Sequence, residues 1–176
     1  ESFTLALTGI SNATPGTLNA TGTLEDDDQQ PTTTLITSDL PDPSVVGQGY
    51  PVQVTVNGQS SSPLGDVTVD DGMGASCSAT LVPGTAPASS MSCNLTSTTA
   101  GNRTLTATFA PASAAFAASS GTASHQVDPA STAISVSGPP RSRIGQPTTF
   151  SFALSVIAPG AGTPTGTVTL SNGSNS

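Results

Sequence analysis

Short runs of alternating apolar and polar residues, separated by turn-rich stretches, follow one another along the chain. Residues 50–56 show the pattern, because every second residue is apolar and would share one face of an extended strand. The stretches between such runs draw on 18 glycines and 15 prolines, which favour turns. No segment has a convincing helical period. The sequence therefore predicts an all-β chain.

Seven strands are predicted in the middle of the chain, with a turn signal roughly every 8–12 residues. The predicted strands are 33–37, 50–56, 65–70, 75–81, 91–96, 103–110 and 122–127. Short strands at this spacing are typical of a β-sandwich, in which two antiparallel sheets pack face to face.

Two segments of the chain repeat one another. Gly47 of the first matches Gly145 of the second, and Gly65 matches Gly166. A period of about 100 residues is the size of one sandwich domain, so the repeat predicts tandem domains. We expect a complete domain at 29–128, flanked by the last two strands of an earlier sandwich at 1–28 and by the first half of another at 129–176. The missing strands would lie outside this chain or come from a second copy of it.

The charge of the chain excludes some classes of partner. The 176 residues carry a formal net charge of −8 and only three Lys or Arg residues. Binding of nucleic acid needs clustered positive charge that displaces phosphate counterions, so no nucleic-acid partner is expected. No apolar run approaches the roughly 20 residues of a membrane span, so no membrane insertion is expected.

The two cysteines, Cys77 and Cys93, lie on neighbouring predicted strands joined by a short loop. Counting from the middle of that loop places them nearly opposite each other, where cross-strand side chains are close enough to bond. A disulfide is favoured over a pair of buried free thiols, and it indicates an oxidising compartment.

Four adjacent acids, Glu25, Asp26, Asp27 and Asp28, stand between two predicted strands. Calcium takes six to eight oxygen ligands, and Asp is a common donor. Two interpretations stay open, a Ca²⁺ site and a solvated acidic linker.

A second acidic cluster follows from the predicted loops, since successive loops alternate between the two ends of a sandwich. Five acids should then lie near the junction with the next domain: Asp39, Asp42, Asp70, Asp71 and Asp128. A cation-stiffened joint is one hypothesis. Ordinary exposed acids that repel one another are the other, and we favour the latter.

No catalytic residue is predicted, and the chain is not expected to be an enzyme. His125 is the only histidine and is predicted to lie on a strand surface. Nothing resembles a nucleophile elbow, and a typical zinc site would need further His or Cys ligands. The few aromatic residues fall mostly on inward positions, which disfavours an aromatic platform for carbohydrate.

Residues 32–128 resemble a bacterial immunoglobulin-like repeat domain. The resemblance rests on "TTTLITSDLPDPSVVGQ", "PLGDVTVDDG", "CSATL" and the run that begins "CNLTSTTAGNRTLTATF". Residues 131–176 resemble the first half of another copy. This implies tandem immunoglobulin-like sandwiches with Greek-key connections, a fold that hosts many functions.

Residues 1–28, "ESFTLALTGISNATPGTLNATGTLEDDD", resemble the end of a Calx-β domain. In calcium-binding members of that family the acidic run after the last strand supplies metal ligands. The positions that match are Asp26, Asp27 and Asp28, together with Glu25, which makes Ca²⁺ the one expected cofactor.

These resemblances imply a structural segment of a large, secreted or cell-surface bacterial protein. It would act as a spacer or stalk, or as a fibre-building or adhesive module, with neighbouring domains of the same polypeptide as partners. The main alternative is a calcium-dependent assembly module that forms homo-oligomers or filaments by strand addition between chains. A carbohydrate-binding module or a hydrolase accessory domain is a more distant alternative.

Overall fold

The computed structural model describes residues 2–6, 11, 19–23 and 28–171, and these residues form strands but no helix. The strands are, in chain order, β1 (Ser2–Ala6), β2 (Asn19–Thr23), β3 (Thr33–Ser38), β4 (Ser44–Val45), β5 (Gly49–Asn57), β6 (Gly65–Asp70), β7 (Ser76–Thr80), β8 (Val82–Pro83), β9 (Ala88–Thr96), β10 (Gly101–Pro111), β11 (Ser119–Asp128), β12 (Thr132–Ser137) and β13 (Ser151–Val156). The all-β prediction is confirmed. Within the described part of the chain, there is no helix of the length and apolarity that crossing a membrane requires.

Strands β3 to β11 form the two sheets of a β-sandwich. One sheet has the order β3-β5-β9-β8, and the other has the order β4-β11-β10-β6-β7. Pairing is antiparallel except between β4 and β11, which run parallel. The seven longer strands match the predicted ones to within about three residues at each end. The sequence does not predict β4 and β8, because each has only two residues and is too short to show an alternating pattern.

The core lies between the two sheets and follows the alternation of the strands. On β5 every second residue from Tyr50 to Val56 is fully buried, while most of the residues between them are exposed. The opposite sheet contributes a matching set of buried residues: Val67, Val69, Leu105, Ala107, Phe109 and Val127. Branched and aromatic side chains on both inner faces thus fill the space between the sheets.

The predicted disulfide between Cys77 and Cys93 is present, with an S–S distance of 2.08 Å and a Cα–Cα distance of 5.9 Å. The predicted hairpin geometry is wrong, however. Strand β7 pairs with β6 in one sheet, whereas β9 pairs with β5 in the other. The chain crosses between sheets after β7, so the bond joins the two sheets rather than two neighbours within one.

The segments on either side of the sandwich form two-stranded hairpins. In the first, β1 pairs with β2, as the sequence predicts. In the second, β12 pairs with β13. A third strand was expected after residue 164, but the described residues from 157 to 171 form none. In the sandwich, the corresponding strand β6 is held between β10 and β7, and the described residues supply no such partners here.

The expectation that aromatic residues face inward holds for the sandwich but not for the second hairpin. Tyr50, Phe109 and Phe116 are buried, whereas Phe150 is 47% and Phe152 is 60% exposed. The reason is that no second sheet among the described residues packs against β12 and β13.

Candidate functional site

A polar cluster lies at the end of the sandwich where the chain passes from one sheet to the other. Strand β3 ends at Ser38, and residues 39–43 lead to β4, which pairs with the end of β11. The peptide bonds that precede Pro41 and Pro43 in this loop are both cis. The backbone N–H of Gln126 donates to Asp42 Oδ1 at 2.8 Å, which ties the loop to β11.

His125 is the centre of this cluster. Its Nδ1 lies 3.1 Å from Asp39 Oδ2 and 3.7 Å from Asp42 Oδ1, and its Nε2 lies 2.9 Å from Ser44 Oγ. The prediction of a strand-surface histidine is wrong, because the residue is only 2% exposed. His125 is in phase with Val127 on β11, and that phase of the strand faces the core.

Ser44, His125 and Asp39 are hydrogen-bonded in the order of a serine nucleophile, a base and an acid. Ser44 is completely buried, however, so no substrate carbonyl has access to its Oγ in this conformation. The hydroxyl group is therefore placed to hold the imidazole ring rather than to attack a substrate.

The His125 ring also stacks on Tyr50 of the opposite sheet, with ring centroids 4.0 Å apart and planes 13° from parallel. The Tyr50 hydroxyl lies 3.3 Å from Ser97 Oγ, and Ser97 donates to Asp71 Oδ2 at 2.8 Å. Burial raises the pKa of Tyr50 above its ordinary value, so the phenol stays protonated at neutral pH. A continuous series of contacts thus runs from Asp39 through His125, Tyr50 and Ser97 to Asp71, and it crosses between the two sheets.

Asp71 is itself a buried acid, 2% exposed, with several donors. Its Oδ1 accepts the backbone N–H groups of Met73 and Ala75 at 2.9 Å, and the Arg103 guanidinium lies 3.8 Å from its Oδ2. Burial alone would raise the pKa of Asp71. The hydrogen bonds from Met73, Ser97 and Ala75, together with Arg103, outweigh burial and lower that pKa below its ordinary value.

Arg103 is anchored by the loop that precedes β10. Its Nη2 donates to the Thr99 carbonyl oxygen and to Thr99 Oγ1, and its Nη1 donates to the Asn102 carbonyl oxygen. Arg103 on β10 and His125 on β11 are register partners. The polar contacts around Arg103 and those around His125 therefore lie side by side at this end of the sandwich.

The five acids of the second predicted cluster contact different partners rather than one common site. Asp39 and Asp42 face His125, and Asp71 faces Arg103. Asp70 accepts the N–H of Gly72, and Asp128 accepts Gln126 Nε2. Among the described residues, only Asp39, Asp42 and His125 bring three metal-capable ligand atoms within 4.8 Å of one another.

The first acidic run lies mostly outside the described residues. Glu25, Asp26 and Asp27 are not described, while Asp28 is described and exposed. A calcium site formed by this run therefore stays a prediction.

Ser44 and Arg103 are site residues that the sequence does not predict, and His125 is buried rather than on the surface. A signal was present, since Arg103 shares the phase of Leu105 and Phe109 on β10, and His125 shares that of Val127 on β11. Polar residues in the inward phase at the end of two strands indicate a buried polar cluster.

A cavity of about 600 Å³ lies between this end of the sandwich and the residues that follow it. Its lining includes Val46, Gly47, Pro129, Val156 and Ala161, and none of the lining residues is aromatic or ionisable. It therefore has neither a stacking platform for a sugar nor a group for acid–base chemistry.

No family model matches the chain, and no curated protein matches it. The immunoglobulin-like and Calx-β resemblances therefore stay predictions.

Proposed function

We propose that this chain is a structural segment of a large secreted or cell-surface bacterial protein, in which it serves as a spacer, stalk or fibre-building module. The disulfide supports an oxidising location, since such bonds persist mainly outside the cytosol. The closed core and the buried polar cluster support a rigid unit.

The parallel pairing of the first and last parts of the sandwich is the observation that carries this proposal. Strand β4 pairs with the end of β11, and the Val46 N–H donates to the Asp128 carbonyl at 2.9 Å. Gln30 bridges residues 115 and 117 through two further backbone hydrogen bonds of 2.9 Å. Tension that enters near residue 29 and leaves near residue 128 would slide parallel strands past each other. Their hydrogen bonds then share the load instead of opening one at a time.

The repeat supports a serial arrangement of such units. Gly47 and Gly145 have the same φ of 79°, and Gly65 and Gly166 have φ values of 151° and 139°. Only three residues separate β11 from β12, and the Ala161 N–H donates to the Val46 carbonyl at 3.1 Å. A short joint of this kind suits the transfer of force from one unit to the next.

Single-molecule pulling on the full chain tests the spacer proposal. We expect a resolvable force peak for the sandwich, because the parallel contacts of Gln30 with Phe116 and of β4 with β11 are loaded in shear. The 16-residue separation of the cysteines, less the 5.9 Å that the intact bond already spans, means that reduction should lengthen the extended chain by about 50 Å. Val46→Pro removes the N–H that bonds Asp128 and should lower the peak force, whereas Val46→Ala keeps that N–H and serves as the control. Extension without any force peak would refute the proposal.

A second candidate function is assembly between copies, and the exposed apolar face of the second hairpin favours it. Ile134, Val136 and Phe152 are each more than half exposed on β12 and β13. Another copy could add strands to the edges of this hairpin and supply the opposite sheet that would cover its apolar face. Light scattering over a concentration series, with and without Ca²⁺, tests it. Polymers that grow when Ca²⁺ is added would support both assembly between copies and calcium binding. A monomer at all concentrations would leave the passive spacer as the one supported function.

A further inference from the structure

The arrangement around His125 places one ring nitrogen against two carboxylates. Nδ1 lies 3.1 Å from Asp39 Oδ2 and 3.7 Å from Asp42 Oδ1. A proton on Nδ1 forms a hydrogen bond to the nearer oxygen, but the farther one is beyond hydrogen-bond distance. Asp42 Oδ1 instead accepts the Gln126 N–H at 2.8 Å. Because a carboxylate oxygen has two lone pairs, a divalent cation can still bind all three groups.

The ring is held so that Nδ1 is the atom presented to these acids. Ser44 Oγ, which is fully buried, occupies the other nitrogen at 2.9 Å, and Tyr50 stacks against the ring face. In metal sites a second group commonly binds the remaining nitrogen of a histidine ligand and fixes its orientation. Ser44 has that position here, so the histidine is oriented before any ion arrives.

The donor set favours a zinc-type ion over calcium. Calcium is bound by oxygen ligands, whereas zinc accepts imidazole nitrogen and carboxylate oxygen. Zinc holds such atoms at roughly 2.0–2.2 Å in a tetrahedron, which places neighbouring ligand atoms about 3.3 Å apart. The two observed Nδ1–oxygen distances lie on either side of that value.

Solvent reaches the cluster from the side of the acids. The Asp42 side chain is 35% exposed and the Asp39 side chain is 17% exposed, while the His125 side chain is fully buried. An ion can therefore enter past Asp42 and keep a water molecule as its fourth ligand, with the histidine beneath it.

We propose that Asp39, Asp42 and His125 bind one Zn²⁺ ion, or a similar divalent transition-metal ion, through Oδ2, Oδ1 and Nδ1. The ion fastens the loop of residues 39–43 to β11 at the end of the sandwich that meets the next segment. This site is distinct from the acidic run at residues 25–28, and it stands whether or not the chain acts as a spacer.

Zinc titration of the full oxidised chain tests the site, because His125 is the only histidine and its ring protons give a single reporter in NMR. We expect one Zn²⁺ per chain by calorimetry and a shift of the His125 ring signals that saturates at the same ratio. Asp42→Asn removes a ligand charge at a partly exposed position and should weaken binding by at least about tenfold. Asp66→Asn changes an exposed acid on β6 outside the cluster and should leave binding unchanged.

Three results would overturn the proposal. The first is the absence of binding at millimolar Zn²⁺. The second is binding that leaves the His125 ring signals unshifted, which would locate the ion elsewhere, for example at residues 25–28. The third is equal affinity in the Asp42→Asn and Asp66→Asn variants. Circular dichroism of each variant without metal confirms that it is folded before the titration.

Discussion

The sandwich and the segment that follows it carry the same alternation but differ in what covers it. Val52, Val54 and Val56 on β5 are completely buried. The residues 98 positions later are Phe150, Phe152 and Leu154, which are 47%, 60% and 38% exposed. Larger apolar side chains thus face solvent in the second segment, at positions where smaller ones form the core of the first.

The difference shows that alternation predicts which face of a strand the apolar residues share. It does not predict whether that face is buried. In the sandwich, β10 and β11 of the opposite sheet pack against β3, and His125 of β11 stacks on Tyr50 of β5. Residues 129–171 form the equivalent hairpin, β12 with β13, and the described residues provide no opposite sheet. The described residues thus leave a contiguous apolar face of the second segment exposed.

The largest effect should come from truncating one phenylalanine in each of the two segments. Phe109 is fully buried, so Phe109→Ala leaves a cavity and should lower the free energy of unfolding by about 3–5 kcal/mol. Phe152 is 60% exposed, so Phe152→Ala should change it by less than about 0.5 kcal/mol. Urea denaturation of both variants measures the contrast. A comparable loss in both would show that the second face is covered in solution.

Removal of the disulfide should be the next largest effect and should be confined to the sandwich. Cys77→Ala with Cys93→Ala releases a cross-link over 16 residues, which should cost about 3 kcal/mol of unfolding free energy. Residues 129–176 contain no cysteine, so their amide exchange should stay unchanged. Faster exchange along β12 and β13 in the variant would contradict this separation.

Acid should also affect the two segments differently, because residues 129–176 contain no Asp or Glu. The lowered pKa of Asp71 means that its ionised form stabilises the fold above about pH 4 and that this contribution is lost as the pH falls further. Asp71→Asn should cost about 2 kcal/mol at neutral pH through its buried hydrogen bonds.

The measurement is urea denaturation at neutral pH and at about pH 3, where the carboxylates are becoming protonated. Asp71→Asn should lose less stability on acidification than the natural chain, and Asp66→Asn should lose nearly as much as the natural chain. If Asp71→Asn loses as much stability on acidification as the natural chain does, Asp71 is not the source of the acid sensitivity.

Much of the sandwich is predictable because its strands are long enough to alternate. Residues 65–70 are predicted as a strand, and the structure has β6 at the same positions. The cysteine pairing is also predictable, but its geometry is not. Counting along the sequence assumes a hairpin, whereas the chain changes sheets between β7 and β9. Which sheet a strand joins depends on long-range pairing that local pattern does not encode.

The candidate site is less predictable for the same reason. Asp39 and Asp42 were expected near the junction, and they are placed against β11. The sequence predicts His125 on a strand surface, because nothing near it resembles a nucleophile elbow or a typical zinc site. Its burial depends on Ser44 and on the stacked Tyr50, which are 81 and 75 positions away. The parallel pairing of β4 brings the first of these into contact, and no local pattern announces a two-residue strand.

The smallest predicted effect compares two equivalent glycines. Gly47 and Gly145 share a φ of 79°, so alanine should be strained by about 1–2 kcal/mol at either position. A Cβ at Gly47 would also lie 2.6 Å from the Ala161 carbonyl oxygen, whereas a Cβ at Gly145 meets nothing within 4 Å. The strain is therefore common to both variants, and only Gly47→Ala disturbs the contact between the segments.

Gly47→Ala should lower the unfolding free energy of the sandwich by about 1–2 kcal/mol and speed exchange of the Ala161 amide, which donates to the Val46 carbonyl. Gly145→Ala should leave both quantities unchanged, since its strain falls outside the sandwich. Hydrogen exchange at Ala161, followed by NMR, distinguishes the two. Equal exchange in both variants would mean that this hydrogen bond does not join the segments in solution. A difference would show that the contact of residues 46 and 47 with Ala161 joins the sandwich to the second segment in solution.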